Sequence, residues 1–213
     1  MSNEIPKKNL FMMCPCLNQE ALSNLPNEFY IRNCRRSELD LWMSFPFDNP
    51  REAEEYRDFM IKYFQDVYSH KKDLFYEKCL FVCNSKDRPI ATILTWKAYD
   101  KITTIHWFKV LKEYEGLGIG RALLSIAMQS LSEKEYPVFL HTQPSSYRAI
   151  KLYTDFGFYL LSNPEIGNRK NHLEECLPIL KEYMPQKFYD DLKITEAPDF
   201  FLEAVNSSST IEF

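Results

Sequence analysis

The 213-residue chain is 45% hydrophobic and 15% aromatic with only five glycines, a composition that excludes a linker-rich or disordered protein and suffices for a sizeable core. Its net charge of −4, with no long basic run, argues against a nucleic-acid surface. No apolar stretch approaches the ~18 residues of a membrane span, and Met1–Lys8 lacks the apolar centre of a secretory leader, so the expectation is a soluble cytoplasmic protein with no membrane partner. Six cysteines in that setting predict reduced thiols. Cys14 and Cys16 are separated by one residue and Cys79 and Cys83 by three, without a zinc-type Cys-x-x-Cys, and no metal is expected.

In chain order, Asn9–Cys16 reads as a short edge strand broken by Pro15, within an N-terminal extension over residues 1–28. After a turn at Pro26-Asn27, Phe29–Cys34 is the first core strand, and Ser37 offers a cap for a helix to about Phe45. From Arg51 to Ser69, residues Ala53, Tyr56, Phe59, Met60, Tyr63, Phe64 and Val67 recur at spacings of three and four, which predicts one amphipathic helix. Cys79–Cys83, Ile90–Ala98 and Ile102–Leu111 follow as strands of an antiparallel meander, with Cys79, Phe81 and Cys83 on one buried face. A helix then runs to about Ser132 on a stripe of Leu123, Leu124, Ala127, Met128 and Leu131. Val138–Thr142 is apolar enough for a central strand. Pro144–Ser146 opens a helix with Ala149, Leu152, Tyr153 and Phe156 on its apolar face and Gly157 as its stop. Phe158–Leu161 is the last core strand. Helices at His172–Tyr183 and about Gln186–Leu192, a segment at Asp199–Val205 and a polar, mobile tail over Asn206–Thr210 form a helical appendage over 162–213.

Residues 102–121 carry the distinctive pattern: an apolar strand breaks into Gly116, Gly118 and Gly120, three of the five glycines, and a helix begins. Glycine lets the backbone turn sharply and lets a ligand press on exposed N–H groups. A helix N-terminus adds unpaired amides and partial positive charge, so the assembly suits an anion such as phosphate. A nucleoside-triphosphate loop would need Lys-Ser or Lys-Thr where Arg121-Ala122 stands, and a dinucleotide turn needs a Gly-x-Gly-x-x-Gly spacing that is not present. A tight turn without a ligand accounts for one or two of these glycines but poorly for three alternating ones.

The stretch Glu115-Gly116-Leu117-Gly118-Ile119-Gly120-Arg121-Ala122-Leu123-Leu124 resembles motif A of the GCN5-related N-acetyltransferases (GNAT), Gln/Arg-x-x-Gly-x-Gly/Ala, whose loop amides hold the coenzyme A pyrophosphate. Glu115 stands where the family usually has Gln or Arg, and its side chain is expected to point to solvent. Ser146–Phe158 resembles the family's Asn-x-x-Ala-x-x-Leu-Tyr-x-x-x-Gly-Phe, with Ser146 replacing Asn. The two matches lie in the family's order, and the core they imply spans 29–161.

The resemblance implies an α/β fold of the α+β type: the GNAT acyl-CoA N-acyltransferase fold, a mixed, mostly antiparallel sheet flanked by helices, here with extra C-terminal helices. It implies transfer of an acetyl or short acyl group from acetyl-CoA to a small-molecule or peptide amine by direct attack. The alternative is a non-catalytic acyl-CoA-binding or regulatory module, because Glu115 and Ser146 depart from the motifs and no base is evident. On the family pattern, amides from Leu117 to Ala122 grip the pyrophosphate, Val110 and Leu111 hold the pantetheine arm, and an N–H near Val110 meets the thioester oxygen. Tyr153 matches the tyrosine beside the coenzyme sulfur. With a reference pKa of about 10 against about 8.5 for a thiol, it is suited to hydrogen-bond the leaving thiolate. His106 and His141 are candidate bases where two strands splay apart. Arg121 suits the diphosphate or 3′-phosphate, Arg148 is either a second phosphate contact or a surface charge, and Ser146 caps its helix or bonds the pantetheine. Phe45, Pro46 and Phe47 are candidates for the acceptor pocket. The appendage either covers the acceptor end or forms an interface, for which a second copy of the chain is a candidate partner.

Overall fold

A computed structural model describes residues 5–208 and 210–213; residues 1–4 and 209, which hold the start of the N-terminal extension and part of the polar tail, lie outside it. The first element overturns an expectation. Strand β1 (Leu10–Cys14) is not at an edge but inside the sheet, with every residue buried. Leu10, Met12 and Cys14 enter one core layer and Phe11 and Met13 the other. Pro15 follows the last paired residue, so its missing N–H interrupts no ladder bond.

Strand β2 (Tyr30–Asn33) leads to helix α1 (Leu39–Ser44), where the Glu38 carboxylate accepts the Arg35 N–H at 2.8 Å and closes the preceding turn. The single helix expected over 51–69 is broken into α2 (Pro50–Glu55), α3 (Arg57–Tyr63) and a π-turn at Phe64–Tyr68. Asn49 caps α2 by accepting the Glu52 N–H at 2.8 Å, with Pro50 in the first turn. At Tyr56 the backbone leaves helical geometry, and the π-turn then widens the spiral so that Phe64, Val67 and Tyr68 are all buried. Helix α4 (Lys72–Lys78), which the periodicity did not announce, carries Phe75 and Tyr76 into the same layer.

The meander is as expected: β3 (Cys79–Cys83), β4 (Pro89–Ala98) and β5 (Ile102–Val110) pair antiparallel. Helix α5 (Ile119–Gln129) stops short of Ser132 and crosses to β6 (Val138–Thr142), which pairs parallel to β5. Helix α6 (Tyr147–Asp155) then turns back into β7 (Tyr159–Leu161). A two-residue hairpin, β8 (Glu165–Ile166) and β9 (Arg169–Lys170), precedes helices α7 (Leu173–Tyr183) and α8 (Gln186–Asp190), strand β10 (Ile194–Thr195) and helix α9 (Asp199–Asn206).

The main sheet runs β10-β7-β1-β6-β5-β4-β3-β2, mostly antiparallel, with helices on both faces. All of β4 except Lys97 is buried, as a strand covered on two sides must be. One face carries an aromatic layer built on Trp42, Tyr68, Phe75, Phe81, Trp96 and Phe139; the other carries the aliphatic stripes of α5, α6 and α7. The segment after residue 161 adds β10 beside β7, α7 to the aliphatic layer and α9 to the aromatic one. The chain beyond the tail is not loose: Phe213 is buried and packs on Phe201 at 5.2 Å between ring centres. Among the described residues no helix is long and apolar enough to cross a membrane.

Gly157 ends α6 at φ +95°, and a Cβ there would lie 2.8 Å from the Cys16 carbonyl oxygen. That contact is backbone against backbone and cannot relax cheaply. Gly157→Ala should therefore lower the unfolding free energy by roughly 2 kcal/mol or more in urea denaturation, and a loss below ~0.5 kcal/mol would contradict this packing.

Candidate active site

The site begins with a fault in the sheet. Thr92 pairs with Lys109 and Leu94 with His106, so Trp107 and Phe108 together face the single residue Ile93. The bulge holds Trp107 at φ +52°, which costs a bulky residue of order 1–3 kcal/mol and persists only where its surroundings enforce it. It leaves His106 and Trp107 both on the aromatic side and sends Phe108 and Val110 to the aliphatic side. Pairing of β5 with β6 ends at Ile105–Leu140, and the strands separate beyond it. Since the Leu111 N–H donates to the Ile90 carbonyl of β4 at 2.9 Å, strand alternation turns the Val110 N–H the other way, into this opening.

The glycine loop follows directly. Gly116 and Gly118 adopt φ of +81° and +80°, a conformation costly for residues with a Cβ, and Gly118 caps α5. Gly120 serves closeness instead: a Cβ there would sit 3.4 Å from Val110 Cγ2 and 3.5 Å from Phe108. The first bond of α5 runs from the Ala122 N–H to the Gly118 carbonyl at 3.1 Å, so the amides of Ile119, Gly120 and Arg121 have no partner within the helix. Leu117 is 51% exposed at the tip. The loop thus offers open backbone donors at a helix N-terminus beside the β5 opening.

One charged side chain departs from expectation. Arg121 does not face the loop: it donates to the Ala21 carbonyl at 3.0 Å and pairs with Asp155, tying α5 to α6 and to the turn after β1. Glu115 is exposed, as expected, and there pairs with the exposed Arg148 at 3.1 Å, across the two segments that resemble the family motifs. Ser146 stands at the start of α6 without capping it through its side chain. Apart from the Glu115–Arg148 pair at its rim, the loop relies on main-chain donors.

Tyr153 packs beside the bulge, its ring tilted against its neighbours with its centre 6.0 Å from Phe108 and 5.6 Å from Phe158. Burial pushes its phenol pKa well up, so the proton stays on. The hydroxyl has no protein partner among the described residues, yet it is not sealed away from solvent. The two histidines are different. His106 has both ring nitrogens engaged, Nδ1 with Tyr68 at 2.6 Å and Nε2 with Thr104 at 2.9 Å, and burial lowers its pKa to about 3. His141 donates from Nε2 to Asn9 Oδ1 at 3.1 Å, and burial together with nearby Arg169 lowers its pKa to about 3. His106 is a structural histidine rather than a ready base, and His141 is a weak one.

On the aromatic side a cavity of about 520 Å³ opens between α1, α2 and the ends of β4 and β5. Phe45 and Phe47 line it with Leu111 and Pro89, while Pro46 does not. The residues that sequence reasoning missed are Trp107, Tyr68 and Thr104. A bulge built without glycine in a β-rich run leaves no compositional mark, and Tyr68 looks like one more core aromatic.

Both histidines, His106 buried and His141 half-buried, are neutral when folded and take up protons near 6.5 when unfolded, so the unfolded state binds more protons below that pH. Stability should fall as the pH drops from about 6.5 toward about 3, and the His106 and His141 imidazole resonances should not titrate between ~pH 8 and ~pH 5; titration near 6.5 would refute these environments. Glu115→Gln removes a carboxylate from the rim of the anion loop. It should tighten coenzyme A binding roughly two- to fivefold by calorimetry, more at low salt, whereas weakening would assign the carboxylate a supporting role.

Residues 37–158 match the model of the acetyltransferase (GNAT) family. No curated protein matches the chain. Similar solved structures include a Drosophila protein, 17% identical with a TM-score of 0.47, covering 73% of this chain and 48% of its own. A GNAT-family acetyltransferase from Staphylococcus aureus is 15% identical with a TM-score of 0.46, over 60% of this chain and 82% of its own. A GCN5-related N-acetyltransferase from Sphaerobacter thermophilus is 18% identical with a TM-score of 0.47, over 73% and 49%. The chain spans about half the length of the first and third of these. The family match covers more than half of the chain and includes both the glycine loop and the Tyr153 helix, so this protein belongs to the acetyltransferase (GNAT) family.

Proposed function

We propose that the protein transfers an acetyl, or another short acyl, group from coenzyme A to a small-molecule or peptide amine by direct attack. One observation carries the reading: where β5 parts from β6, the Val110 N–H turns away from β4 beside the glycine loop, the first amides of α5 have no acceptor in their own helix, and Tyr153 packs against Phe108 of the same strand. The coenzyme, as co-substrate, supplies the acyl thioester. Amides of Ile119, Gly120 and Arg121 fit its diphosphate, since they present donors and partial positive charge with no acceptor in their own helix. Arg148 is a further phosphate contact in this reading, once released from Glu115.

As the amine nitrogen bonds to the acyl carbon, negative charge grows on the carbonyl oxygen, and the Val110 N–H is oriented to receive it. The carbon–sulfur bond then breaks, the sulfur departs with the electron pair, and the extra proton on the nitrogen is lost to solvent. Tyr153, whose proton is held firmly by burial, donates a hydrogen bond to that sulfur. Neither histidine is assigned as base, because His106 is fully bonded and His141 is weakly basic. The amine reacts as its neutral fraction, so turnover should climb with pH toward the amine's own pKa instead of levelling near the ordinary histidine value of about 6.5. A cytoplasmic location is part of the proposal, supported by six free cysteines, five of them buried.

Calorimetric titration with acetyl-CoA, with ATP and NAD as controls, tests the donor site. Selective binding of acetyl-CoA is the expected result, and a folded protein that binds none would overturn the reading. Thiol release on adding an amine separates a transferase from a binding module. In that assay Tyr153→Phe should slow turnover by ~10²-fold with acetyl-CoA affinity kept within about twofold; unchanged turnover would remove Tyr153 from the chemistry.

A further inference from the structure

Two uncommon backbone features, far apart in sequence, meet at one hydroxyl. One is the bulge of β5, with Trp107 in the left-handed region; the other is the π-turn, which delivers the fully buried Tyr68. The Tyr68 oxygen accepts from Trp107 Nε1–H at 3.1 Å and lies 2.6 Å from His106 Nδ1. The direction of each bond is fixed by its neighbour. The Thr104 hydroxyl donates to the Trp96 carbonyl at 3.1 Å, so it accepts from His106 Nε2–H at 2.9 Å. That leaves His106 Nδ1 as an acceptor, and Tyr68 donates to it. Each N–H and O–H in the chain Trp107, Tyr68, His106, Thr104 thus donates to one acceptor, and the Tyr68 and Thr104 oxygens each accept one bond and donate another.

These bonds hold the two consecutive residues that the bulge places on the aromatic side. With His106 and Trp107 fastened there, Phe108 is directed to the opposite side against Tyr153, and the Val110 N–H is directed into the opening. The ring of Tyr68 is itself immobilised between Trp42 at 5.8 Å, Phe75 at 5.2 Å and Trp96 at 4.9 Å. A hydroxyl on so rigid a mount is a fixed reference point for the strand.

We propose that Tyr68 is a positioning residue for the acyl group: by anchoring Trp107 and His106 it sets the β5 bulge and so the aim of the Val110 N–H at the thioester oxygen. The proposal rests on the acyl-transfer reading given above. It assigns Tyr68 no contact with substrate; its effect passes through the strand.

Tyr68→Phe removes only the hydroxyl and keeps the packed ring. The test compares coenzyme A with acetyl-CoA, which differ only in the acyl group, by calorimetry and by the amide resonance of Val110 in ¹⁵N-labelled protein. In the wild type, acetyl-CoA should move the Val110 resonance further than coenzyme A does and bind more tightly. In Tyr68→Phe, coenzyme A affinity should stay within about twofold, while the extra Val110 shift at least halves and the preference for acetyl-CoA falls several-fold. A merely structural tyrosine would lower stability and leave both acyl-dependent signals in place, and that result in a folded variant overturns the proposal. Should Tyr68→Phe not fold, Trp107→Phe removes the N–H that Tyr68 accepts while leaving Tyr68 and His106 paired, and the same two signals decide. Wild-type protein that binds neither compound would overturn the acyl-transfer reading itself; wild-type binding with an unaltered variant overturns the role of Tyr68 alone.

Discussion

Strand β5 has to leave β6 while staying bonded to β4, and the candidate site depends on that constraint. In mid-sheet a strand normally spends its N–H and C=O groups on both neighbours, and a buried group left unpaired is costly. Here β6 follows β5 for three residue pairs only, from Thr103–Val138 to Ile105–Leu140. The extra residue at the bulge comes next, and β4 pairing resumes at Lys109 and Val110. The sheet is held together on one side while the other opens. Backbone donors exposed in this way are available to a ligand without any charged side chain being placed there.

The same economy governs the glycine loop. Two glycines supply the left-handed turns and one lets α5 approach Val110 and Phe108, so that the helix amides come close to the opening. The nearby side-chain charges are largely occupied elsewhere: Arg121 holds α5, α6 and the post-β1 turn together, and Arg148 is paired with Glu115. An anion bound here would be gripped mainly by directional main-chain groups, which suits a diphosphate that must be held in one orientation.

The aromatic layer supports the other side of the opening. Trp42, Tyr68, Phe75, Trp96 and Trp107 interlock mostly edge to face, the arrangement favoured by ring quadrupoles. Such packing tolerates little displacement, so the left-handed Trp107 is held by many contacts at once. The terminal segments complete the scaffold: β1 enters the sheet between β6 and β7, and Phe213 closes on Phe11 and Phe139.

Much was legible in the residues themselves. The meander, the β5-to-α5 turn and the α6 helix ending at Gly157 are local patterns, set by alternation, helical period and the conformational freedom of glycine, and the structure has them where the pattern places them. The edge assignment of β1 failed because a five-residue apolar run looks the same at an edge and in the interior; only its long-range partners differ. The single helix over 51–69 failed because a π-turn keeps nearly the same apolar spacing while inserting one residue into the spiral. Side-chain destinations were less legible still, since Arg121 and His106 are spoken for by Asp155, Ala21, Tyr68 and Thr104, groups brought together only by folding. What the sequence alone determined was the family motifs and the local backbone forms, because these depend on neighbouring residues. The bulge, the parting of β5 from β6 and the hydrogen-bond chain through Tyr68 were decided by tertiary structure, because each is a bargain between segments distant in sequence.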